Sequence, residues 1–117
     1  MTAIEFHGFS VSPPSRAVHM TLDLLDLDYK FVNVNVMEGE TKTSEYISLN
    51  PQHTVPVLID SKLLITKSRA AITYLCSEYK PGQLYPVDLA RRSQIDQRLF
   101  FNLLQTIRGL CLSSLLW

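Results

Sequence analysis

We expect the chain to adopt an α/β fold, in which helices pack on a β-sheet, followed by the start of an all-α region. Two patterns predict this class. Short apolar runs alternate with longer stretches of helical apolar spacing, first in the order βαβ and then ββα. Beyond residue 88 only a helical pattern continues. The first half therefore predicts a right-handed parallel crossover, and the second half adds an antiparallel hairpin.

The first elements are a strand at residues 4–8 and a helix at residues 13–25. Ser12 is a favourable N-cap residue, and Pro13 and Pro14 fall in the first turn, where a helix does not need their missing N–H groups. Apolar residues recur at helical spacing in two adjacent stripes, which predicts a broad face packed on the sheet. The stripes are Ala17, Met20, Leu24 and Leu27, and beside them Val18, Leu22 and Leu25.

The remaining elements of this layer are three strands and two helices. Apolar alternation predicts a half-buried strand at residues 29–36, and a short helix is expected near residues 44–49. Two apolar runs at residues 55–59 and 63–66 flank a turn at residues 60–62 and form a hairpin. A helix at residues 68–79 follows. Its apolar side carries Ala71, Ile72, Leu75 and Cys76.

A linker and a last helix complete the predicted organisation. We divide the chain into an α/β domain at residues 1–80, a linker at residues 81–87 and a partial helical domain at residues 88–117. Asp88 caps a helix that begins at Leu89, and Gly109 is expected to end it near residue 108. Phe100 and Phe101 on this helix are suited either to packing on the α/β layer or to an interface between two chains, and packing is favoured.

Composition excludes several classes of function. Lys plus Arg equals Asp plus Glu at 11 each, so the basic excess expected of a nucleic-acid or membrane-surface protein is missing. Cys76 and Cys111 lie far apart, without the spacing of a metal site, and fit free thiols in a reducing compartment. No secretory leader and no membrane-spanning apolar run is recognised. We expect a cytoplasmic protein without a metal.

Ser12 and Ser15 are the most informative polar residues. The order of elements is that of a thioredoxin-like layer, and redox proteins of this fold place Cys-x-x-Cys at the turn that Ser12 begins. Serine at both positions argues against dithiol exchange, because the nucleophile of that reaction must be a thiolate. What remains is a hydroxyl at a helix N-terminus, where backbone N–H groups and the helix dipole favour an anion, such as the thiolate of another molecule.

Several blocks resemble the glutathione S-transferases, most closely the insect delta and epsilon classes. They are SPPSRAV at residues 12–18, NPQHTVP at residues 50–56 and SRA at residues 68–70, in that family's order and spacing. LYP at residues 84–86 and QRLFF at residues 97–101 extend the resemblance to roughly residues 3–102. It implies a glutathione-binding domain, a second helical domain that forms the pocket for a small hydrophobic electrophile, and a homodimer.

The resemblance also implies roles for individual residues. Ser12 would donate a hydrogen bond to the glutathione sulfur and act as the catalytic group. A cis peptide between Val55 and Pro56 would turn the Val55 backbone toward the peptide-like middle of glutathione. His53 would contact its glycine carboxylate, and Ser68 with Arg69 its γ-glutamyl carboxylate. The full implied glutathione site contains Thr41, His53, Thr54, Val55, Pro56, Lys67, Ser68 and Arg69, and glutathione is a co-substrate rather than a cofactor.

Three features depart from that family's pattern. Lys67 occupies a position that is usually acidic and pairs with the γ-glutamyl amine, and losing such a charged hydrogen bond costs roughly 1.5–3 kcal/mol. Thr41 replaces a histidine that contacts the glycine carboxylate. The helical domain is expected to continue well beyond Trp117, so we expect this chain to be truncated.

Three functions follow as hypotheses. The first is glutathione conjugation to small hydrophobic electrophiles, as in detoxification. The second is a non-catalytic binding or assembly module, or an inactive truncated isoform, which Lys67, Thr41 and the missing domain favour. The third, a glutaredoxin-like reductase, is disfavoured by Ser12 and Ser15.

Overall fold

The computed structural model describes residues 3–110 of the chain, with side chains described as far as Asn102. A four-stranded sheet and four α-helices form this part, with two single-turn 3₁₀ helices before the second α-helix. The strands are β1 Ile4–Gly8, β2 Lys30–Asn33, β3 Val57–Asp60 and β4 Leu63–Ile65. The helices are α1 Pro13–Leu24, α2 Ser44–Leu49, α3 Ser68–Tyr79 and α4 Leu89–Leu110, and the 3₁₀ helices are Val36–Glu38 and Glu40–Lys42.

The sheet is mixed, with the strand order β2-β1-β3-β4. β1 pairs in parallel with β2, so that Phe6 stands opposite Phe31, and antiparallel with β3, where Phe6 stands opposite Leu58. β3 and β4 form an antiparallel hairpin, with Ser61 in the left-handed region at φ 56°. The predicted parallel crossover and antiparallel hairpin are therefore confirmed, as is the α/β class.

The main hydrophobic core lies between β1, β3 and the two helices α1 and α3. Of the two stripes predicted on the first helix, one is buried, whereas Met20 and Leu24 of the other are 60% and 64% exposed. The predicted face of α3 is buried or half-buried as expected. The buried residues of this core are Ile4, Phe6, Val18, Leu22, Leu25, Leu58, Ala71, Leu75 and Cys76.

Three strands are shorter than predicted, of which β4 loses only its last residue. β2 ends at Asn33 because Asn35 turns the chain: its side-chain oxygen accepts hydrogen bonds from the N–H groups of Met37 and Glu38 at 3.0 and 3.3 Å. Gly39 then adopts the left-handed conformation, at φ 76°. β3 begins at Val57 rather than at residue 55, since Pro56 before it has no N–H to donate to a neighbouring strand.

The last helix corrects two expectations. α4 passes through Gly109 to Leu110, so Gly109 does not end it. The aromatic pair is not packed on the α/β layer, because Phe100 is 66% and Phe101 56% exposed. Within residues 3–110, no helix combines the length and apolar character that crossing a membrane requires. Cys111 and the residues after it lie outside the described part.

Gly8 is required by the close approach of the Phe6 ring. A Cβ at Gly8 would stand 2.6 Å from Cζ of Phe6, whose side chain is fully buried. We expect Gly8→Ala to lower the free energy of unfolding by about 1–3 kcal/mol, because the ring cannot move without disturbing the core. Urea unfolding measures this, with Ser10→Ala at an exposed position as the control. An unchanged midpoint for Gly8→Ala would contradict the packing described.

Candidate functional site

Six of the predicted site residues meet at one small cavity. It has a volume of about 220 Å³ and lies between the loop before β3 and the start of α3. The peptide bond between Val55 and Pro56 in this loop is cis, as predicted. The cavity is lined by Pro14, Thr54, Val55, Pro56, Thr66, Lys67, Ser68 and Arg69.

The loop that forms one wall is held by Asn50 and Tyr46. Asn50 is 1% exposed, and its side-chain nitrogen donates to the Thr54 carbonyl at 2.9 Å and to Thr54 Oγ1 at 3.1 Å. Its side-chain oxygen accepts from the N–H of Gln52 at 3.2 Å. The Tyr46 hydroxyl donates to the same Thr54 carbonyl at 2.5 Å, and burial raises the pKa of Tyr46 to about 12. Tyr46 therefore remains a donor at neutral pH.

The opposite wall is the start of α3, where one cation, Lys67, precedes the helix and another, Arg69, lies in its first turn. Ser68 is 6% exposed, and its Oγ accepts from Nη1 of Arg69 at 3.1 Å. Nη2 of Arg69 donates to Oδ1 of Asn102 on α4, and burial lowers the pKa of the Arg69 guanidinium. Lys67 is exposed, and its ammonium donates to Oε1 of Gln52 at 2.7 Å. This wall is therefore positively charged, and Lys67 connects it to the opposite loop.

Ser12 does not line the cavity, although Pro14, two residues later in the chain, does. Ser12 is fully buried, and its hydroxyl finds no hydrogen-bond partner among the described residues. Its side chain makes no capping bond to α1, although its backbone carbonyl accepts from the N–H of Arg16 at 3.0 Å. Ser15, one turn later, is also buried with an unpaired hydroxyl. Both hydroxyls are therefore buried donors that no described residue uses.

Neither His53 nor Thr41 contributes to the cavity lining. His53 is exposed and adopts the left-handed conformation at φ 46°, with its N–H donating to the Asn50 carbonyl at 2.9 Å. Thr41 is 3% exposed and lies in the second 3₁₀ helix. The His53 side chain is therefore accessible to a ligand, whereas Thr41 is buried.

A second cavity adjoins the first where α1, α3 and α4 meet. It measures about 450 Å³, and Pro14, Ser68 and Arg69 line both cavities. Its other lining residues are mainly apolar, which suits a small hydrophobic molecule beside a charged one. A larger groove of about 970 Å³ runs along α4 and also includes Pro86 before that helix. None of the predicted site residues lines that groove, so the volume of a cavity does not identify the site.

Sequence reasoning gave no role to Asn50, Tyr46 or Asn102. The Asn50 side chain forms an Asx-turn, in which its oxygen accepts from the N–H of Gln52 two residues later. Asn forms this bond readily, so a sequence can suggest it. The Tyr46 contact with Thr54 spans eight residues and the Asn102 contact with Arg69 spans 33, and a single sequence carries no signal for either contact.

Metal and thiol chemistry find no support in the part of the chain that the structure describes. There, no three His, Cys, Asp or Glu side chains gather in a group that could hold a metal ion. Cys76 is a free, buried thiol whose pKa is raised by burial, so it is a poor nucleophile.

Comparison with known proteins agrees with this geometry. Residues 6–83 match the family described as "Glutathione S-transferase, N-terminal domain". "Glutathione S-transferase 1" of Manduca sexta is 40% identical over 116 residues, which cover 95% of this chain and 54% of that protein. This chain therefore spans about half the length of the curated relatives it matches.

Solved structures give the same result. A Bombyx mori glutathione transferase superposes with a TM-score of 0.88 and 41% identity, covering 97% of this chain and 54% of that one. A Drosophila mojavensis homologue, solved with bound glutathione, superposes with a TM-score of 0.83 and 44% identity, covering 86% and 47%. Delta-class and epsilon-class enzymes of other insects match as well. The chain belongs to the glutathione S-transferase family and groups with its insect delta-class and epsilon-class members.

Proposed function

We propose that this chain binds reduced glutathione in the cavity between α3 and the loop before β3 that contains the cis Val55–Pro56 bond, hereafter the cis-proline loop. The site prepares the glutathione thiol for conjugation. The observation that carries the proposal is that Val55, Ser68 and Arg69 line one cavity with a positively charged end. Relatives over 35% identical are named glutathione S-transferases, and the homologue solved with glutathione has the same fold.

The cavity supplies a partner for each part of the tripeptide. No backbone hydrogen bond within residues 3–110 uses the N–H or C=O of Val55, so both are available to the cysteinyl backbone of glutathione. Ser68 and Arg69, with the N–H groups of the first turn of α3, receive the γ-glutamyl carboxylate. Exposed His53 takes the glycine carboxylate. In this proposal Thr54, Pro56 and Lys67 form the walls, and Thr41 stands in place of a histidine contact to the glycine carboxylate.

Ser12 is the proposed catalytic residue. Its hydroxyl donates to the glutathione sulfur and stabilises the thiolate, since hydrogen bonds to a charged acceptor contribute about 1.5–3 kcal/mol. The thiol proton passes to solvent. The thiolate then forms a carbon–sulfur bond with the electrophilic carbon, and the displaced group leaves with its electron pair. Burial of the hydroxyl without a partner supports this role, because a buried donor is stabilised when it gains an acceptor.

The wider organisation is proposed from the same observations. Residues 1–80 form the glutathione-binding domain, residues 81–87 a linker and residues 88–117 the first part of the helical domain. Small hydrophobic electrophiles are the proposed co-substrates, because the second cavity has apolar walls. A homodimer is proposed because Phe100 and Phe101 are exposed. A cytoplasmic location is proposed because Cys76 is a free thiol.

One specific observation favours the alternative of a non-catalytic glutathione-binding module. Ser12 does not line the cavity, whereas a catalytic hydroxyl must reach the sulfur. In this alternative glutathione binds, but its thiol keeps an ordinary pKa and no conjugation follows.

Calorimetric titration of reduced glutathione into the full chain tests the binding step. Because Arg69 provides the charged partner of the γ-glutamyl carboxylate, we expect Arg69→Ala to weaken binding about 10- to 150-fold. Arg91→Ala, an exposed arginine on α4, is the matched control and should bind as the unchanged chain does. Equal affinity of the two variants would contradict the proposed site.

A further inference from the structure

The charged residues that line the cavity between the cis-proline loop and α3 are all cationic. Its lining includes two cations, Lys67 and Arg69, and no carboxylate. The N-terminus of α3 lies at the same end, and a helix N-terminus carries about half a unit of positive charge. Every fixed charge in this lining therefore favours an anion.

Neither cation is neutralised by the described part of the chain. The ion pairs in the described part of the chain join Glu5 to His7 and to Lys30, on the first two strands. Lys67 donates to the neutral amide of Gln52. Arg69 donates to the hydroxyl of Ser68 and the amide of Asn102. Lys67 and Arg69 both line the cavity, and no carboxylate of the described residues pairs with either of them.

A γ-glutamyl group presents two charges at once, because its ammonium and its carboxylate are attached to the same carbon. When the carboxylate binds at Arg69, the ammonium is held within a few ångströms of it and lies at the same cationic end. The carboxylate gains a partner there. The ammonium gains none from the lining and meets Lys67 instead.

We infer that this site selects anionic γ-acyl-cysteinyl peptides that lack a free α-amine, and that Lys67 determines this selectivity. The inference rests on the proposed function and concerns the same cavity. It predicts that glutathione is not the best ligand of its own site, and that an analogue in which hydrogen replaces the amine binds more tightly.

The expected size of the effect follows from the exposure of Lys67. Two like charges about 4 Å apart in water repel each other enough to weaken binding roughly five-fold. We therefore expect the deamino analogue to bind about five-fold more tightly than glutathione at low salt. The difference should shrink as salt rises, because exposed charges are screened.

Calorimetry with two S-methylated ligands tests the inference. The probes are S-methylglutathione and S-methyl-glutarylcysteinylglycine, which differ only in the amine, and the methyl group removes thiol ionisation and the Ser12 hydrogen bond from the comparison. The full chain is compared with Lys67→Glu and with Lys62→Glu, which makes the same charge change at an exposed turn position. We expect Lys67→Glu to reverse the preference, with S-methylglutathione bound at least about ten-fold more tightly than its analogue. Lys62→Glu should keep the original preference.

The outcomes separate this inference from the proposed function. Binding of both ligands with equal affinity, or tighter binding of S-methylglutathione by the unchanged chain, overturns the inference and leaves the glutathione site intact. A reversal in Lys62→Glu as large as that in Lys67→Glu also overturns it, because the effect would then come from net charge alone. No binding of either ligand by the folded chain overturns the proposed function and the inference with it.

Discussion

Ser12→Ala is expected to lower the rate of glutathione conjugation about 10- to 150-fold at neutral pH without destabilising the fold. The rate falls because the thiolate loses a charged hydrogen bond. Stability is retained because the hydroxyl is buried and makes no hydrogen bond to any described residue, and replacing an unpaired buried polar atom by hydrogen removes a desolvation penalty. Conjugation to an activated chloronitrobenzene, followed by absorbance, measures the rate, and thermal unfolding measures the stability.

Ser15→Ala is the matched control for this change. Ser15 stands one turn along α1, is 2% exposed and also carries an unpaired hydroxyl. The two variants should therefore have similar unfolding temperatures, while only Ser12→Ala loses activity. An equal loss in both variants, or a fully active Ser12→Ala, would contradict the catalytic role. Conjugation missing from the unchanged chain, together with normal glutathione binding, would establish the non-catalytic alternative.

Asn50→Ala should have the largest effect on stability among the site residues. The change removes two hydrogen bonds to Thr54 and one from Gln52, and leaves a gap at a position that is 1% exposed. We expect the free energy of unfolding to fall by about 2–4 kcal/mol, because buried partners lose their bonds and packing is lost. This corresponds to a decrease in Tm of about 8–16 °C.

Glutathione binding provides a second measurement for Asn50→Ala. Because Asn50 holds the loop that carries Val55, affinity should fall even at temperatures where the variant is fully folded. Asn33→Ala is the control, since Asn33 is exposed at the end of β2, and it should change neither stability nor affinity. Normal affinity in a folded Asn50→Ala chain would show that the loop keeps its conformation without the asparagine.

The fold could be predicted where local patterns coincide with packing. The apolar face of α3 and the start of α1 after Ser12 were recognisable because periodicity and helix-start signals agree there. β2 was predicted too long because the alternation of valines and asparagines continues past Asn33, whereas Asn35 bonds to the backbone and turns the chain. Phe100 and Phe101 were placed on the α/β layer by their apolar character alone, and the structure exposes both.

The candidate site could be predicted in part from short motifs. The β3–β4 hairpin separates residues 54–56 from residues 67–69, and the fold brings the two segments to one cavity. The contact of Lys67 with Gln52 and that of Arg69 with Asn102 depend on how β3, α3 and α4 are arranged. No local pattern encodes these contacts, so the hydrogen-bond partners of Lys67 and Arg69 could not be predicted from the sequence. Burial of Ser12 likewise depends on the surrounding fold.

The central claim is that glutathione occupies the cavity between the cis-proline loop and α3. Its most direct test is an NMR titration of the isotopically labelled chain, in which backbone amide signals report where reduced glutathione binds. The account predicts that Val55, Ser68 and Arg69 show the largest saturable shifts. Shifts confined to the groove along α4, or no shifts at millimolar glutathione in a folded chain, would contradict it.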